Sequence, residues 1–372
     1  MSGVLDLPEP DCIDGAPHPR DTAHVIGQDL AQQTFLAAYT SGRLHHGWLL
    51  TGPRGTGKAT LAWGIARFLL ATPAVDENGL FGAPPPPQNL TIDPEHPVAR
   101  RLRALSDPRL FLLRRGPNEK GDKLAEVITV REVRKLHAFF GLSAADGGRR
   151  VVIVDSVDDM NTQAANALLK MLEEPPANTT LLLLSHQPAR LLPTIRSRCR
   201  TLRLAPLGSQ DMAKALEQAG AEVASADVAP LTTLAEGAVG AAVRLINLDG
   251  LTLYKDILGV LASLPALDRP RLLGLAESCA GKGREDRLSL LLTLTDQIAA
   301  RLARTGVART PPQEVLPGEA ATLMRLSPDP ATGRRWAELI QSAGDRARHA
   351  RAVNIDPAAL VTDLFLNLQK AL

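Results

Sequence analysis

The segment Leu49-Leu50-Thr51-Gly52-Pro53-Arg54-Gly55-Thr56-Gly57-Lys58 constrains the fold of this chain more than any other stretch. A short apolar run enters Gly52, four residues separate that glycine from Gly57-Lys58, and Leu61, Ala62, Ile65, Ala66 and Leu69 continue with helical spacing. Strand, glycine-rich loop and helix in this order form a phosphate cradle. Backbone N–H groups and the helix N-terminus face the phosphate oxygens, and the lysine ammonium reaches the terminal phosphates. Gly52, Gly55, Gly57 and Lys58 are therefore candidate nucleotide-binding residues. The position after the lysine normally carries a hydroxyl that ligates Mg²⁺, but here it is Ala59. Thr60 does not replace that hydroxyl, because one further residue turns a helical side chain by about 100°.

A second departure concerns the activation of water. Val151-Val152-Ile153-Val154-Asp155 reads as a buried parallel strand whose last residue, Asp155, is placed to face a bound Mg²⁺. ATPases with such a loop usually follow that aspartate with a glutamate, whereas this chain has Ser156, a hydroxyl too weakly basic to polarise water at neutral pH. The residues leave open both a loop that binds ATP without hydrolysing it and a wholly vestigial one. They also leave Mg²⁺ undecided.

Further strands are expected at Trp48 to Thr51, Arg109 to Leu113, Leu181 to Ser185 and Thr201 to Leu204, which with Val151 to Asp155 make a five-stranded parallel α/β sheet. The run Asn161 to Glu174 has Ala165, Leu168, Leu169 and Leu172 on one helical face and is stopped by Pro175-Pro176. Residues 71–97, with Pro84-Pro85-Pro86-Pro87, read as an extended, solvated insertion. After Pro206 the strands cease. Short helices at Ser209 to Ala219, Val228 to Leu234 and Ala238 to Leu245 suggest a small lid. Longer ones at Tyr254 to Leu264, Arg271 to Ala280, Arg287 to Leu302 and Trp336 to Arg348 suggest an all-α assembly domain. The expected division is 1–207 for the α/β domain, 208–250 for the lid and 251–372 for the helical domain.

Composition excludes several classes. A net charge of +2 singles out no partner, so any such claim must rest on local patches. Cys12, Cys199 and Cys279 lack the paired spacing of a zinc site or a disulfide framework, which fits a reduced, cytoplasmic protein with no zinc. No apolar run approaches the roughly 20 residues of a membrane span, and the first residues lack a secretory pattern.

Three motifs in order, Leu49-Leu50-Thr51-Gly52-Pro53, Asn166-Ala167-Leu168-Leu169-Lys170-Met171-Leu172-Glu173-Glu174-Pro175-Pro176 and Ser197-Arg198-Cys199, resemble clamp-loader subunits of the AAA+ class. The likeness covers the first 250 residues well and the helical tail in architecture only. It implies an AAA+ domain, lid and helical collar in a complex with gamma/tau and delta subunits that loads a sliding clamp on primed DNA. By the same resemblance Arg198 is an arginine finger reaching the γ-phosphate in a neighbouring subunit, and Ser185 senses a γ-phosphate. Val25-Ile26-Gly27-Gln28 would lie beside the adenine, and Gly240 stands where the family usually has a lid arginine. A degraded ATP site beside a retained Ser-Arg-Cys marks a non-hydrolysing member. A gamma/tau-type motor is the alternative, and a small-molecule kinase would leave Asn166 to Pro176 unexplained.

On the residues alone Arg198 is equally one of several surface arginines, with Arg190, Arg196, Arg200 and Arg203. Arg131, Arg134 and Lys135 share one face of a helix starting near Thr129, a stripe able to follow a DNA backbone. Diluted by Glu126 and Glu132, it reads rather as a solvated surface. With aromatics at 3% of the chain, base stacking has few candidates.

Overall fold

A computed structural model describes residues 9–10, 12–72, 86–118, 120–142, 148–352 and 356–371. Residues 73–85 of the proline-rich stretch 71–97, including Pro84 and Pro85, lie outside the described residues. In chain order the α/β part runs through α1 (Asp29–Thr40), β1 (Gly47–Thr51), α2 (Lys58–Ala71), α3 (Pro97–Arg103), β2 (Leu110–Arg114) and α4 (Val130–Leu142). It continues with β3 (Arg150–Asp155), α5 (Thr162–Glu173), β4 (Thr179–Ser185), α6 (Pro193–Ser197), β5 (Arg200–Arg203) and α7 (Ser209–Gln218). The described residues up to 222, with 237–240, form one compact unit, and 223–236 with 241 onward form another.

The five strands make one parallel sheet in the order β2-β3-β4-β1-β5. Alternate side chains of each strand enter opposite cores, as the two-residue period of a pleated strand requires. Trp48, Leu50, Ile153, Leu182 and Leu184 pack with Phe35, Leu61, Ile65 and Phe68 on one face. Leu49, Val152, Val154, Leu181 and Leu183 pack with Val133, Leu136, Leu168 and Leu172 on the other. A sheet covered on both faces explains the unbroken apolar strands of the sequence. Local signals set the flanking helices. Asn161 caps α5 by accepting from the Ala164 N–H at 2.9 Å, and Glu132 reaches back to the Thr129 N–H at 3.0 Å, closing a capping box at the start of α4.

Register brings three strand ends to one level. Thr51 pairs with Ser185, and Val154 pairs with Leu183. The loop after β1 therefore emerges beside Asp155 and Ser185, where the strand order reverses around β1 and open α/β sheets place ligand contacts.

The second unit is helical: α8 (Ser225–Leu234), most of α9 (Val239–Asn247), α10 (Gly250–Ala262), α11 (Arg269–Ser278), α12 (Glu285–Ala308), α13 (Glu319–Leu326), α14 (Pro330–Ala352) and α15 (Pro357–Leu368). α13 and α15 add to the expected helices, and α12 extends beyond the expected Arg287 to Leu302. α12 and α14 approach closely because a Cβ on Gly306 would lie 2.8 Å from the Gly333 Cα. A buried polar network joins three helices. The Glu319 carboxylate accepts from Tyr254 Oη (2.6 Å), Arg301 Nε (2.7 Å) and the Val315 N–H (2.6 Å). Among the described residues, no helix is long and apolar enough to cross a membrane.

Candidate functional site

The glycine-rich loop closes between β1 and α2 through left-handed backbone at Gly55 (φ 84°) and Gly57 (φ 89°), conformations that glycine adopts without steric cost. Lys58 is almost wholly buried, at 3% exposure. Its Nζ donates to the Gly52 carbonyl at 2.8 Å and to the Pro53 carbonyl, so the ammonium is turned back into its own loop. Burial lowers its pKa to about 8, against the pull of the Asp155 and Asp158 carboxylates. Thr56 is also buried, its hydroxyl donating to the Pro53 carbonyl at 2.9 Å.

Ser185 is fully buried and donates to Asp158 Oδ1 at 2.9 Å. The same carboxylate accepts the N–H groups of His186 and Gln187, so Asp158 caps the turn leaving β4. Sequence reading missed Asp158; its signal was a second carboxylate three residues beyond Asp155. His186 is kept neutral, its pKa pushed down to about 4 by burial and by the charges of Lys58 and Arg54. Ser156 is buried, and its hydroxyl has no hydrogen-bond partner among the described residues.

Val25 to Gln28 are locked to the chain leaving β5. Gln28 donates to the Ala205 carbonyl at 2.8 Å and accepts from the Ala205 N–H at 3.0 Å, while a Cβ on Gly27 would meet Leu207 Cδ2 at 2.6 Å. The Gly240 N–H donates to the Gly55 carbonyl at 3.1 Å. A Cβ on Gly240 would stand 2.5 Å from Ile13 Cδ1 and 3.2 Å from the Gly55 Cα, so Ile13 takes the space that a side chain at position 240 would enter. Arg244, one turn on, pairs with Asp286 at 3.2 Å.

Gly52, Gly55, Gly57, Lys58, Asp155 and Ser185 thus share one end of the sheet. Arg198 does not. It follows α6 directly and precedes β5, whose Arg200 pairs with Trp48 near the opposite end of β1. A strand of β1's length separates the two ends by about 13 Å. The Arg198 side chain is 37% exposed, and its Nη2 lies 2.9 Å from Glu173 Oε1. Neighbouring Cys199 is no nucleophile, since burial pushes its thiol up to about 12. Arg131, Arg134 and Lys135 are exposed on α4, opposite buried Val133 and Leu136, while Glu132 is turned onto Thr129.

Residues 27–208 match the family model described as "DNA polymerase III, delta subunit". The DNA polymerase III subunit delta' of Pseudomonas aeruginosa is 43% identical over 156 residues, 41% of this chain and 41% of that protein. The matched stretch therefore spans about two fifths of that relative. The Escherichia coli subunit delta' is 31% identical over 342 residues, 91% of this chain and 92% of that protein. A gamma/tau subunit of Mycobacterium bovis is 29% identical over 370 residues, 90% of this chain but only 59% of that protein. The likeness to the Escherichia coli protein runs nearly end to end in both partners, and this chain belongs to the family of DNA polymerase III delta' subunits.

Proposed function

We propose that this chain is a non-hydrolysing subunit of the DNA polymerase III clamp loader, which supplies Arg198 to ATP bound in a neighbouring subunit and so assists loading of a sliding clamp on primed DNA. One observation carries the reading: Arg198 is exposed at one end of the sheet, whereas the groups that would handle a nucleotide of its own lie at the other and are engaged internally. A guanidinium held at the far end of β1, a strand about 13 Å long, is not directed at that loop, so an action of Arg198 on phosphate is an action in trans.

The chain's own residues do not fit a hydrolytic Mg²⁺–ATP site. Ala59 offers no metal ligand, Ser156 no general base, and Gly240 no guanidinium; Lys58 holds two loop carbonyls, and Ile13 abuts Gly240. No step of the proposed reaction runs through this loop. Arg198 instead adds positive charge where negative charge spreads over a transferring phosphoryl group, a contribution of about 10³ to 10⁵ in rate in NTPases that use such a finger. The helical unit is assigned to the collar, with gamma/tau and delta subunits as neighbours.

DNA-stimulated ATP hydrolysis by the reconstituted complex tests the reading. Arg198→Ala lowers the rate by roughly tenfold or more, while Lys58→Ala leaves it near that of the unaltered complex. The reverse pattern would make this chain a gamma/tau-type motor, the alternative kept in view by its 29% identity to the mycobacterial subunit.

A further inference from the structure

The end of the sheet that carries Arg198 is a constructed seat. α5 is tied to the start of β1 by His46, whose Nε2 lies 2.9 Å from the Leu172 carbonyl. A carbonyl only accepts, so Nε2 carries the proton, and burial beside His45 keeps the ring pKa below its usual value. The turn bearing Arg198 lies against the same strand. A Cβ on Gly47 would come within 3.1 Å of the Arg198 carbonyl and 3.3 Å of Cys199 Sγ. The backbone of Arg198 and the last turn of α5 are thus fixed to one strand, and Glu173 occupies that last turn.

We propose that Glu173 is the positioning residue for Arg198, an inference that rests on the finger reading above. The Arg198 guanidinium donates from Nη1 to the Thr194 carbonyl at 3.1 Å and pairs through Nη2 with Glu173 Oε1 at 2.9 Å. A guanidinium has five N–H donors in a rigid plane. Two fix its orientation against α5 and α6, and three stay available for phosphate oxygens. Without Glu173 one of the two tethers is lost, and a long, exposed side chain recovers rotamer freedom that it must surrender again in the reacting complex. Part of the specific Asn166 to Pro176 run thereby gains a role: it delivers the carboxylate that aims the finger.

The experiment uses the reconstituted complex with DNA and saturating ATP. Glu173→Ala lowers the maximal rate by about three- to tenfold with little change in KM, as expected for an exposed pair that orients a group acting in the transition state. Glu173→Gln, whose amide oxygen still accepts from Nη2, recovers most of the rate. In an Arg198→Ala background, Glu173→Ala has no further effect on the residual rate, a coupling that a merely structural role would not give. If Arg198→Ala is severe but Glu173→Ala is silent, accelerates the reaction, or acts equally in both backgrounds, the positioning role is wrong and the finger stands. If Arg198→Ala itself leaves the rate unchanged, the finger reading fails, and this inference with it.

Discussion

Lys58→Met tests whether the loop lysine is held as the geometry describes. Burial takes the Lys58 pKa from the usual 10.5 to about 8. At neutral pH the folded chain therefore carries an ammonium at a cost of roughly 3 kcal/mol relative to the unfolded chain. The sign is fixed by proton counting. Between pH 8 and 10.5 the unfolded chain still binds a proton that the folded chain has released, so stability rises with pH across that window. The neutral amine keeps two N–H donors, enough for the carbonyls of Gly52 and Pro53, so the bonds that hold the loop survive the titration. Methionine has no such titration. The stability of the unaltered chain minus that of Lys58→Met climbs by about 2 to 3 kcal/mol through the window and is flat on either side. Urea denaturation reads this difference, followed by fluorescence of Trp48 and Trp63 in a Trp336→Phe background that silences the helical unit. Parallel curves, changing by less than about 1 kcal/mol, would show that the ammonium is solvated and that the internal bonds do not persist in solution.

Two further outcomes follow from buried polar groups. Glu319→Ala strands the Arg301 charge, 6% exposed, with the Gln313 carbonyl as its remaining hydrogen-bond partner among the described residues, and costs the helical unit about 3 to 5 kcal/mol. Hydrogen exchange across residues 309–326 measures it, and protection unchanged within about tenfold, or 1.4 kcal/mol, refutes the network's importance. His186, with its pKa pushed from 6.5 to about 4 chiefly by burial, contributes stability that is complete above pH 6.5 and lost as pH falls through about 4. His186→Gln lacks that slope, at most about 3 kcal/mol, and identical acid limbs in the two denaturation profiles would contradict the burial.

The strands were legible because a sheet covered on both faces writes itself as continuous apolar runs, and Val151 to Asp155 or Leu181 to Ser185 admit little else. The loop was legible because phosphate cradles depend on fixed spacing over few residues. α13 was not, for a physical reason. It is eight residues long, follows a proline-broken loop, and opens on a glutamate that in sequence looks solvated and in the fold is fully buried on Tyr254, Arg301 and Val315. The direction of the Lys58 ammonium was equally hidden, since the motif is the same whether Nζ meets phosphate or its own carbonyls. The pairs Ser185 with Asp158 and Arg198 with Glu173 join residues more than twenty positions apart, and only register and helix packing bring them together.

On the proposed reading, the contrast between the two ends of the sheet accounts for the loss of one site and the retention of the other. At the loop end, each lost ligand has an internal substitute: carbonyls hold Lys58, Asp158 holds Ser185, and Ile13 fills space beside Gly240. Such substitutions cost the fold little, because a buried donor is satisfied as well by a carbonyl of its own chain as by a ligand. Arg198 is held less completely. Its tethers use two of five donors, and its side chain stays 37% exposed on a turn whose backbone is pressed onto β1. Stability alone does not require a guanidinium there, since an exposed pair with Glu173 contributes about 1 kcal/mol at most. On the proposed reading, a rigid seat built around an energetically dispensable arginine serves a subunit whose contribution to the chemistry is made on its neighbour.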